Sequence, residues 1–216
     1  MKFKLPWTEI KIWWEDYKAL ANFINFIIPG IIDKSWMQQD EAKFKRWENA
    51  QKLFIKTKRI TDQINQELKE PPLKISMPLL ENASLESEDE LQEKWANLLV
   101  NSLTNQKEIK PSYIEILKEL SSIEVKILDS IYDEAKRIWW VITDIQFSSE
   151  KISKNAWTSI DNIKIVIDNL FRLRLAEAPA MTSISTWPYH PVLKTTDIFQ
   201  LTFFWVKFIE ACKYNI

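Results

Sequence analysis

The chain has 216 residues and a formal charge of −1 at pH 7, so it can bury a core and has no net field that would draw it to nucleic acid or anionic lipid. It contains one glycine, one histidine and one cysteine. Phosphate-binding loops need several glycines and a Cys/His zinc site needs about four ligands, so both kinds of site are excluded. A single cysteine cannot form an internal disulfide, which fits a reducing cytoplasm. We therefore expect a cytoplasmic protein that is not an enzyme, with no catalytic residues, no metal and no cofactor.

The first predicted element is an amphipathic helix over residues 7–28. Acidic residues interrupt any signal-peptide-like apolar run near the N-terminus. The most apolar stretch, residues 19–32, is shorter than the roughly 20 residues that a membrane-spanning helix needs. The polar face of the helix mixes lysines with acids, whereas helices on membrane surfaces favour Lys and Arg. We expect no transmembrane segment, and a core or interface helix rather than one in contact with a membrane.

One long helix is predicted over residues 38–69. Its apolar seam alternates steps of three and four and comprises Trp47, Ala50, Phe54, Thr57, Thr61, Ile64 and Leu68. Seven basic residues and one acid, Glu48, lie between positions 43 and 59. Such a stripe can hold a phosphate backbone. We favour a solvated face that balances the acids of residues 81–93.

Residues 78–103 carry the most specific pattern. Ser87 and Glu90 form a predicted capping box, and an apolar stripe follows at helical spacing: Leu91, Trp95, Leu98, Leu99 and Leu103. The acids of this stretch could in principle bind a metal, but capping and the helix dipole account for most of them.

The string E-x-A-S-L-E, followed by E-L-x-x-x-W-A-x-L-L-x-N, resembles the signature of the Abi-alpha (abortive infection alpha) family of bacterial proteins. The residues that carry it are Glu81, Ala83, Ser84, Leu85, Glu86, Glu90, Leu91, Trp95, Ala96, Leu98, Leu99 and Asn101. We interpret them as structural, because the resemblance brings no active site with it. It implies a protein that limits phage propagation.

A polar segment at residues 104–111 ends in proline and predicts a boundary between two domains, 1–110 and 111–216. Capping boxes at Ser112 with Glu115 and at Ser121 with Glu124 predict two helices after that boundary. Residues 139–147 are bulky and β-prone and receive no assignment.

Another helix is predicted to start near Ser159, with Ile163, Val166, Ile167 and Leu170 facing inward. That helix is predicted to end in NLFRLRLAE, and the residues after it, through Leu201, predict a hairpin with His190 in a turn near its tip. A last helix is predicted from Thr202 as N-cap through Cys212, with Phe203, Val206, Phe208 and Ile209 as inward candidates. We expect Cys212 to be a small buried residue.

Three helices, the third ending in N-L-x-R-L-x-L, then a hairpin and a last helix, resemble a winged helix-turn-helix and the C-terminal part of Abi-alpha proteins. The resemblance covers roughly residues 40–213. Such sequences commonly carry glycine in the turn after the third helix, where this chain has Arg174. The expected fold is mainly α: an N-terminal helical domain with one long helix, followed by a winged-helix-like unit with a small β-hairpin.

A DNA-reading third helix would present Lys164, Arg172 and Arg174 to the duplex. Residues 140–216 carry eight basic and seven acidic residues, so their attraction to DNA is weak. We favour a non-enzymatic phage-defence protein that acts through protein–protein contacts. The alternative is a winged-helix DNA-binding regulator, and a carboxylate-metal nuclease is a third and weaker one. The 11 Trp and 11 Phe predict a protein partner or a homo-oligomer. The sequence does not choose the phage trigger or the host target.

Overall fold

The computed structural model describes residues 41–64, 68–69, 71–104, 108–138, 145–156, 159–178 and 198–214. In this part of the chain there are eight helices and one three-stranded antiparallel sheet. The chain is mainly α, as expected from its sequence. The predicted helix over residues 7–28 and the predicted turn at His190 lie outside the described residues.

The elements, in chain order, are α1 (Glu41–Thr61), α2 (Leu73–Leu85), α3 (Asp89–Thr104), α4 (Pro111–Glu119), α5 (Ser122–Ile138), β1 (Gln146–Ser148), α6 (Ser149–Ala156), α7 (Ile160–Arg172), β2 (Ala176–Glu177), β3 (Ile198–Leu201) and α8 (Phe203–Ala211). They divide into two compact units between Ile114 and Glu115, within α4. We call them the N-terminal and the C-terminal unit. The assignment of residues 1–110 and 111–216 as domains stays a prediction.

In the N-terminal unit, α1 packs against both α2 and α3, and α2 packs against α3. The largest fully buried side chains of these helices come from all three of them: Leu53, Leu79, Trp95, Leu98 and Leu99. The apolar stripe predicted for α3 is buried throughout. This helix is the centre of the unit, because ten consecutive residues, 94–103, are buried.

The long helix is shorter than predicted, because α1 ends at Thr61 rather than at residue 69. The Thr57 hydroxyl donates to the Leu53 carbonyl and the Thr61 hydroxyl to the Lys58 carbonyl. Such bonds let a threonine side chain compete with the helix, and a turn follows. The inward seam also differs, since Leu53 is buried where Phe54 was expected.

α2 was not predicted as a helix from the sequence. Pro72 precedes it with an extended backbone, and Pro78 lies within it. A proline inside a helix removes one backbone hydrogen bond. The helix nevertheless buries one full face, made of Ile75, Ser76, Leu79, Leu80, Ala83 and Ser84. The burial of this face therefore stabilises a helix that the local propensity of its residues disfavours.

In the C-terminal unit, β3 lies between β1 and β2 and pairs antiparallel with both. Phe147 on β1 and Phe199 on β3 are directly opposite, and their ring centroids are 5.9 Å apart. α8 packs against α5, where the rings of Tyr132 and Trp205 meet edge to face at 5.7 Å. Trp205 is fully buried.

The expected inward position of Phe203 is wrong. Thr202 is the N-cap of α8, as predicted, and its hydroxyl accepts from the Trp205 amide at 3.1 Å. The cap fixes the rotation of the helix, so Trp205 faces the core and Phe203, about 200° away around the axis, faces solvent. The inward positions of Val206, Phe208 and Ile209 and the burial of Cys212 are confirmed.

Two of the predicted capping boxes are wrong and one is confirmed. α3 begins at Asp89, one residue later than an N-cap at Ser87 requires. α4 begins at Pro111, which places Ser112 inside the helix; proline is favoured at that first position. Ser121 and Glu124 do exchange the hydrogen bonds of a capping box at the start of α5.

α7 begins after Ser159, whose hydroxyl accepts from the Asn162 amide, and its four predicted inward residues are buried. At its end, Arg174 has a φ of 58°. The Leu175 amide donates to the Leu170 carbonyl and the Arg174 amide to the Phe171 carbonyl. These bonds form a Schellman motif, which needs a left-handed residue at the position of Arg174.

Candidate functional site

The signature residues lie on α2 and α3, on both sides of the turn between them. Most are buried, namely Ala83, Ser84, Leu91, Trp95, Ala96, Leu98, Leu99 and Asn101. Glu81, Leu85 and Glu90 are exposed, and Glu86 is half-buried. The pattern therefore marks a packing junction with an exposed acidic rim.

Ser84 joins α2 to α1 through two hydrogen bonds and makes a third within α2. Its hydroxyl donates to the Glu81 carbonyl at 2.7 Å and accepts from the Arg46 Nε at 3.1 Å. Its carbonyl oxygen accepts from the Asn49 Nδ2 at 3.1 Å. Ser84 and Asn49 are both fully buried, and a buried polar group that loses its partner costs about 1–3 kcal/mol. These groups hold helices together at this junction.

Gln92 closes the turn between α2 and α3. Its side-chain amide donates to the Ala83 carbonyl at 2.9 Å and to the Glu86 carbonyl at 2.6 Å. Carbonyls in the last turn of a helix lack the usual amide four residues on, so Gln92 supplements the bond that the Ala83 carbonyl accepts from the Glu86 amide at 3.3 Å and supplies a donor to the Glu86 carbonyl. Gln92 is fully buried, and the sequence reading did not single it out.

The basic stripe of α1 contacts the acids at the start of α3. The Lys56 ammonium lies 2.9 Å from an Asp89 carboxylate oxygen and 3.2 Å from one of Glu93, and Arg59 lies 2.5 Å from the other Glu93 oxygen. The hydrogen bond from Lys56, and then its charge, hold the pKa of Asp89 below its ordinary value of 3.8. This agrees with the interpretation of the stripe as a face that balances these acids.

A second polar network lies in the C-terminal unit, around the nearly buried Glu124. One carboxylate oxygen accepts from the Ser121 amide and hydroxyl, each at 2.7 Å, and the other accepts from the Asn169 Nδ2 at 2.5 Å. The Asn169 oxygen in turn accepts from the Arg172 guanidinium, which also pairs with Glu119 at 2.5 Å. The network joins α7 to the start of α5.

The three candidate DNA contacts do not form one patch. Lys164 is half-buried, and Arg172 lies eight residues further, about 12 Å along the helix axis. Arg172 is engaged with Glu119 and Asn169. Arg174 is exposed in the turn after the helix.

The described residues contain neither a metal-binding cluster nor a membrane-spanning helix. No group of three or more His, Cys, Asp or Glu residues is placed to hold a metal ion there. Within the same ranges, every helix is too short or too polar to cross a membrane.

A family model described as abortive infection alpha matches residues 46–212, most of the chain. The chain belongs to the Abi-alpha family. Membership indicates a role in phage defence of the abortive-infection type. The comparisons with curated proteins and with solved structures give no significant match.

The Abi-alpha match includes both polar networks. It begins at Arg46, which donates to Ser84, and ends at Cys212, which caps the C-terminus of α8. It also includes the turn after α7, where the resemblance led us to expect glycine. Here Arg174 itself takes the left-handed conformation that glycine adopts freely. The departure from the expected residue thus leaves the tight turn in place.

Proposed function

We propose that this Abi-alpha protein acts in phage defence without catalysis, through protein–protein contacts made by its C-terminal unit. The observation that carries the proposal is the outer face of α7. There Ile165 is 67 % exposed, and Asp161 and Asp168 lie four residues before it and three after it. An apolar side chain between carboxylates suits a protein surface better than a phosphate backbone.

The order of elements in this unit supports a winged-helix fold. From α5 to β3 the chain runs helix, strand, helix, helix, strand, strand, and β3 lies between β1 and β2. In this assignment α7 takes the place of the helix that reads DNA in DNA-binding members of the fold. Winged helices also serve as protein-interaction modules, so the fold alone does not decide the function.

The contacts of the polar side chains support a non-enzymatic mechanism. In the N-terminal unit, Arg46, Asn49, Ser84 and Gln92 bind one another or helix carbonyls. The hydrogen bonds that they donate hold three helices together, although the side-chain oxygens of Asn49 and Gln92 are buried without a partner among the described residues, and these bonds fit a structural signature. The buried thiol of Cys212, which is in no disulfide, fits the cytoplasm, where a phage product would be met.

A DNA-binding regulator is the second candidate. The exposed guanidinium of Arg174, next to the start of β2, favours it. Asp161 and Asp168 oppose it, because carboxylates on the reading face repel phosphates.

A phage challenge tests the proposal. We expect bacteria that express the chain to survive at a low phage-to-cell ratio and to collapse at a high one. Ile165→Ser should abolish this protection at an unchanged protein level, whereas Lys164→Glu should not. Purified protein should leave duplex DNA unshifted at about 50 mM salt, where phosphate contacts are strongest, and uncleaved with Mg²⁺ or Mn²⁺. A salt-dependent shift that Lys164→Glu weakens would instead favour the regulator.

A further inference from the structure

Asn49, Gln92 and Trp95 each bury a side-chain polar atom that has no hydrogen-bond partner among the described residues. The atoms are the Asn49 Oδ1, the Gln92 Oε1 and the Trp95 Nε1. Each of these residues is at most 1 % exposed. A buried polar atom without a partner is rare in proteins, because it has left bulk water and gained no bond in exchange. The three atoms therefore need an explanation.

The two side-chain amides meet at the same end of α2. The Asn49 Nδ2, from α1, donates to the Ser84 carbonyl at 3.1 Å, and the Gln92 Nε2, from α3, donates to the Ala83 carbonyl at 2.9 Å. Consecutive residues of a helix are only about 1.5 Å apart along its axis. Because the oxygen and the nitrogen of an amide share one carbon, both side-chain oxygens also lie at this junction of three helices.

Rotating the amides does not give these oxygens partners. A reversed Gln92 amide would place its oxygen against the carbonyls of Ala83 and Glu86, which now accept from its nitrogen. A reversed Asn49 amide would do the same against the Ser84 carbonyl. The two oxygens cannot bond to each other, since an amide oxygen only accepts. Both therefore need another donor.

Trp95 adds the opposite requirement. It lies three residues after Gln92, on the same side of α3. Long side chains on a helix lean toward the preceding turn, which directs the Trp95 ring toward Gln92. The indole N–H only donates, so it repels a cation, while the two amide oxygens repel an anion. A small neutral molecule that both donates and accepts suits all three groups, and water has these properties.

We propose that a buried water molecule binds at this junction. It donates to the Asn49 Oδ1 and the Gln92 Oε1 and accepts from the Trp95 Nε1. Buried waters make about three hydrogen bonds each and occur about once for every 27 residues. This water links α1 directly to α3, in addition to the bonds that both helices make to α2. Ala83, Ser84 and Trp95 belong to the signature, so the water is part of the structure that the signature specifies.

Water–protein NOE and ROE spectra of the full chain, labelled with ¹⁵N, test the proposal. We expect cross-peaks from water to the side-chain amide protons of Asn49 and Gln92 and to the indole proton of Trp95. Their signs should be opposite in the two spectra, which marks a water that tumbles with the protein. The indole of Trp205 is an internal control, because it is buried but has no unpaired side-chain acceptor with it in the described part of the C-terminal unit. It should give no such cross-peak.

Three variants sharpen the test. Ser84→Ala removes a hydroxyl whose exchanging proton could imitate a bound water, and it keeps the carbonyl that Asn49 binds; the cross-peaks should persist. Gln92→Met removes one acceptor at similar size, so the cross-peak at Asn49 should weaken. The matched control is Asn97→Ala, because the Asn97 amide donates within α3, to the Glu93 carbonyl at 2.9 Å. It should leave the cross-peaks unchanged. Circular dichroism confirms that each variant is folded.

Three results would overturn the proposal. One is a folded wild-type protein without water cross-peaks at Asn49 and Gln92, a result that needs no variant. Another is the loss of these cross-peaks in Ser84→Ala. The third is a cross-peak at Asn49 that a folded Gln92→Met leaves unchanged, since one water could not then bridge the two oxygens. None of these results bears on the proposed protein–protein mechanism, which the phage challenge tests separately.

Discussion

Replacing Glu124 by alanine removes the acceptor that joins α5 to α7. Three donors meet its carboxylate: the Ser121 amide, the Ser121 hydroxyl and the Asn169 side-chain amide. Glu124 is 7 % exposed, so water does not replace the carboxylate freely. The substitution therefore leaves polar groups without partners inside the C-terminal unit.

The expected loss follows from these contacts. A lost capping interaction costs about 1 kcal/mol. The hydrogen bond from Asn169 to a charged acceptor contributes about 1.5–3 kcal/mol. The exposed pair of Arg172 and Glu119 adds at most about 1 kcal/mol if its geometry is disturbed. We expect Glu124→Ala to lower the free energy of unfolding by about 3 kcal/mol, or Tm by about 6–12 °C in a chain of this size.

Urea unfolding followed by circular dichroism measures this loss. The matched control is Glu115→Ala, because Glu115 is also a helical glutamate but is exposed, and its one ion pair among the described residues is with Lys118, at 2.6 Å. Glu115→Ala should change the free energy of unfolding by less than about 0.5 kcal/mol. Glu124→Gln should fall between the two, since an amide offers one acceptor oxygen to donors on two sides. Equal midpoints for Glu124→Ala and Glu115→Ala would refute the reasoning.

Three further predictions concern other positions. Arg174→Gly should be neutral or stabilise the protein by up to about 1 kcal/mol, because only glycine avoids the Cβ clash, and Arg174→Val should destabilise it. Thermal unfolding measures both effects. The reverse order of stability would contradict the left-handed turn. Gln92→Leu should lower the free energy of unfolding in urea by about 2–3 kcal/mol. Gln92→Glu should lower it further, since a carboxylate would face two carbonyl oxygens. A smaller loss for Gln92→Glu than for Gln92→Leu would contradict this. An NMR titration should give Asp89 a pKa below 3.8 that rises in Lys56→Gln. Because the folded pKa is lowered, the small stabilisation from Asp89 is present above its unfolded pKa and is lost as the pH falls through the folded one; an unchanged midpoint in Lys56→Gln would contradict the pairing.

Local signals in the sequence were sufficient to predict α7 and most of α8. Ser159 and Thr202 cap these helices as expected, because an N-cap depends on a side chain and amides three residues away. The inward set of α7 follows from its period alone. The capping box of Ser121 and Glu124 is also local, and it was found for the same reason.

Contacts between distant residues were not predictable from the sequence. Asn169 lies 45 residues from Glu124, and Asn49 lies 35 residues from Ser84. Nothing in a local pattern distinguishes such a polar residue from a solvated one. Gln92 was missed for the same reason: its role depends on the end of α2, a helix that two prolines concealed.

The orientation of Phe203 shows how one helix cap changes a functional interpretation. The helical period counted from the start of α8 predicted that Phe203 faces the core. On that prediction, this position offered no exposed aromatic side chain for contact with a partner. The Thr202 cap turns the helix so that Trp205 packs on Tyr132 and Phe203 is exposed. If Phe203 had faced inward, Lys207 would lie beside no apolar side chain. With the ring exposed, Lys207 lies 5.3 Å from its centre and also pairs with Glu210, so this face of α8 offers an apolar side chain beside an ion pair, a composition that suits a protein contact.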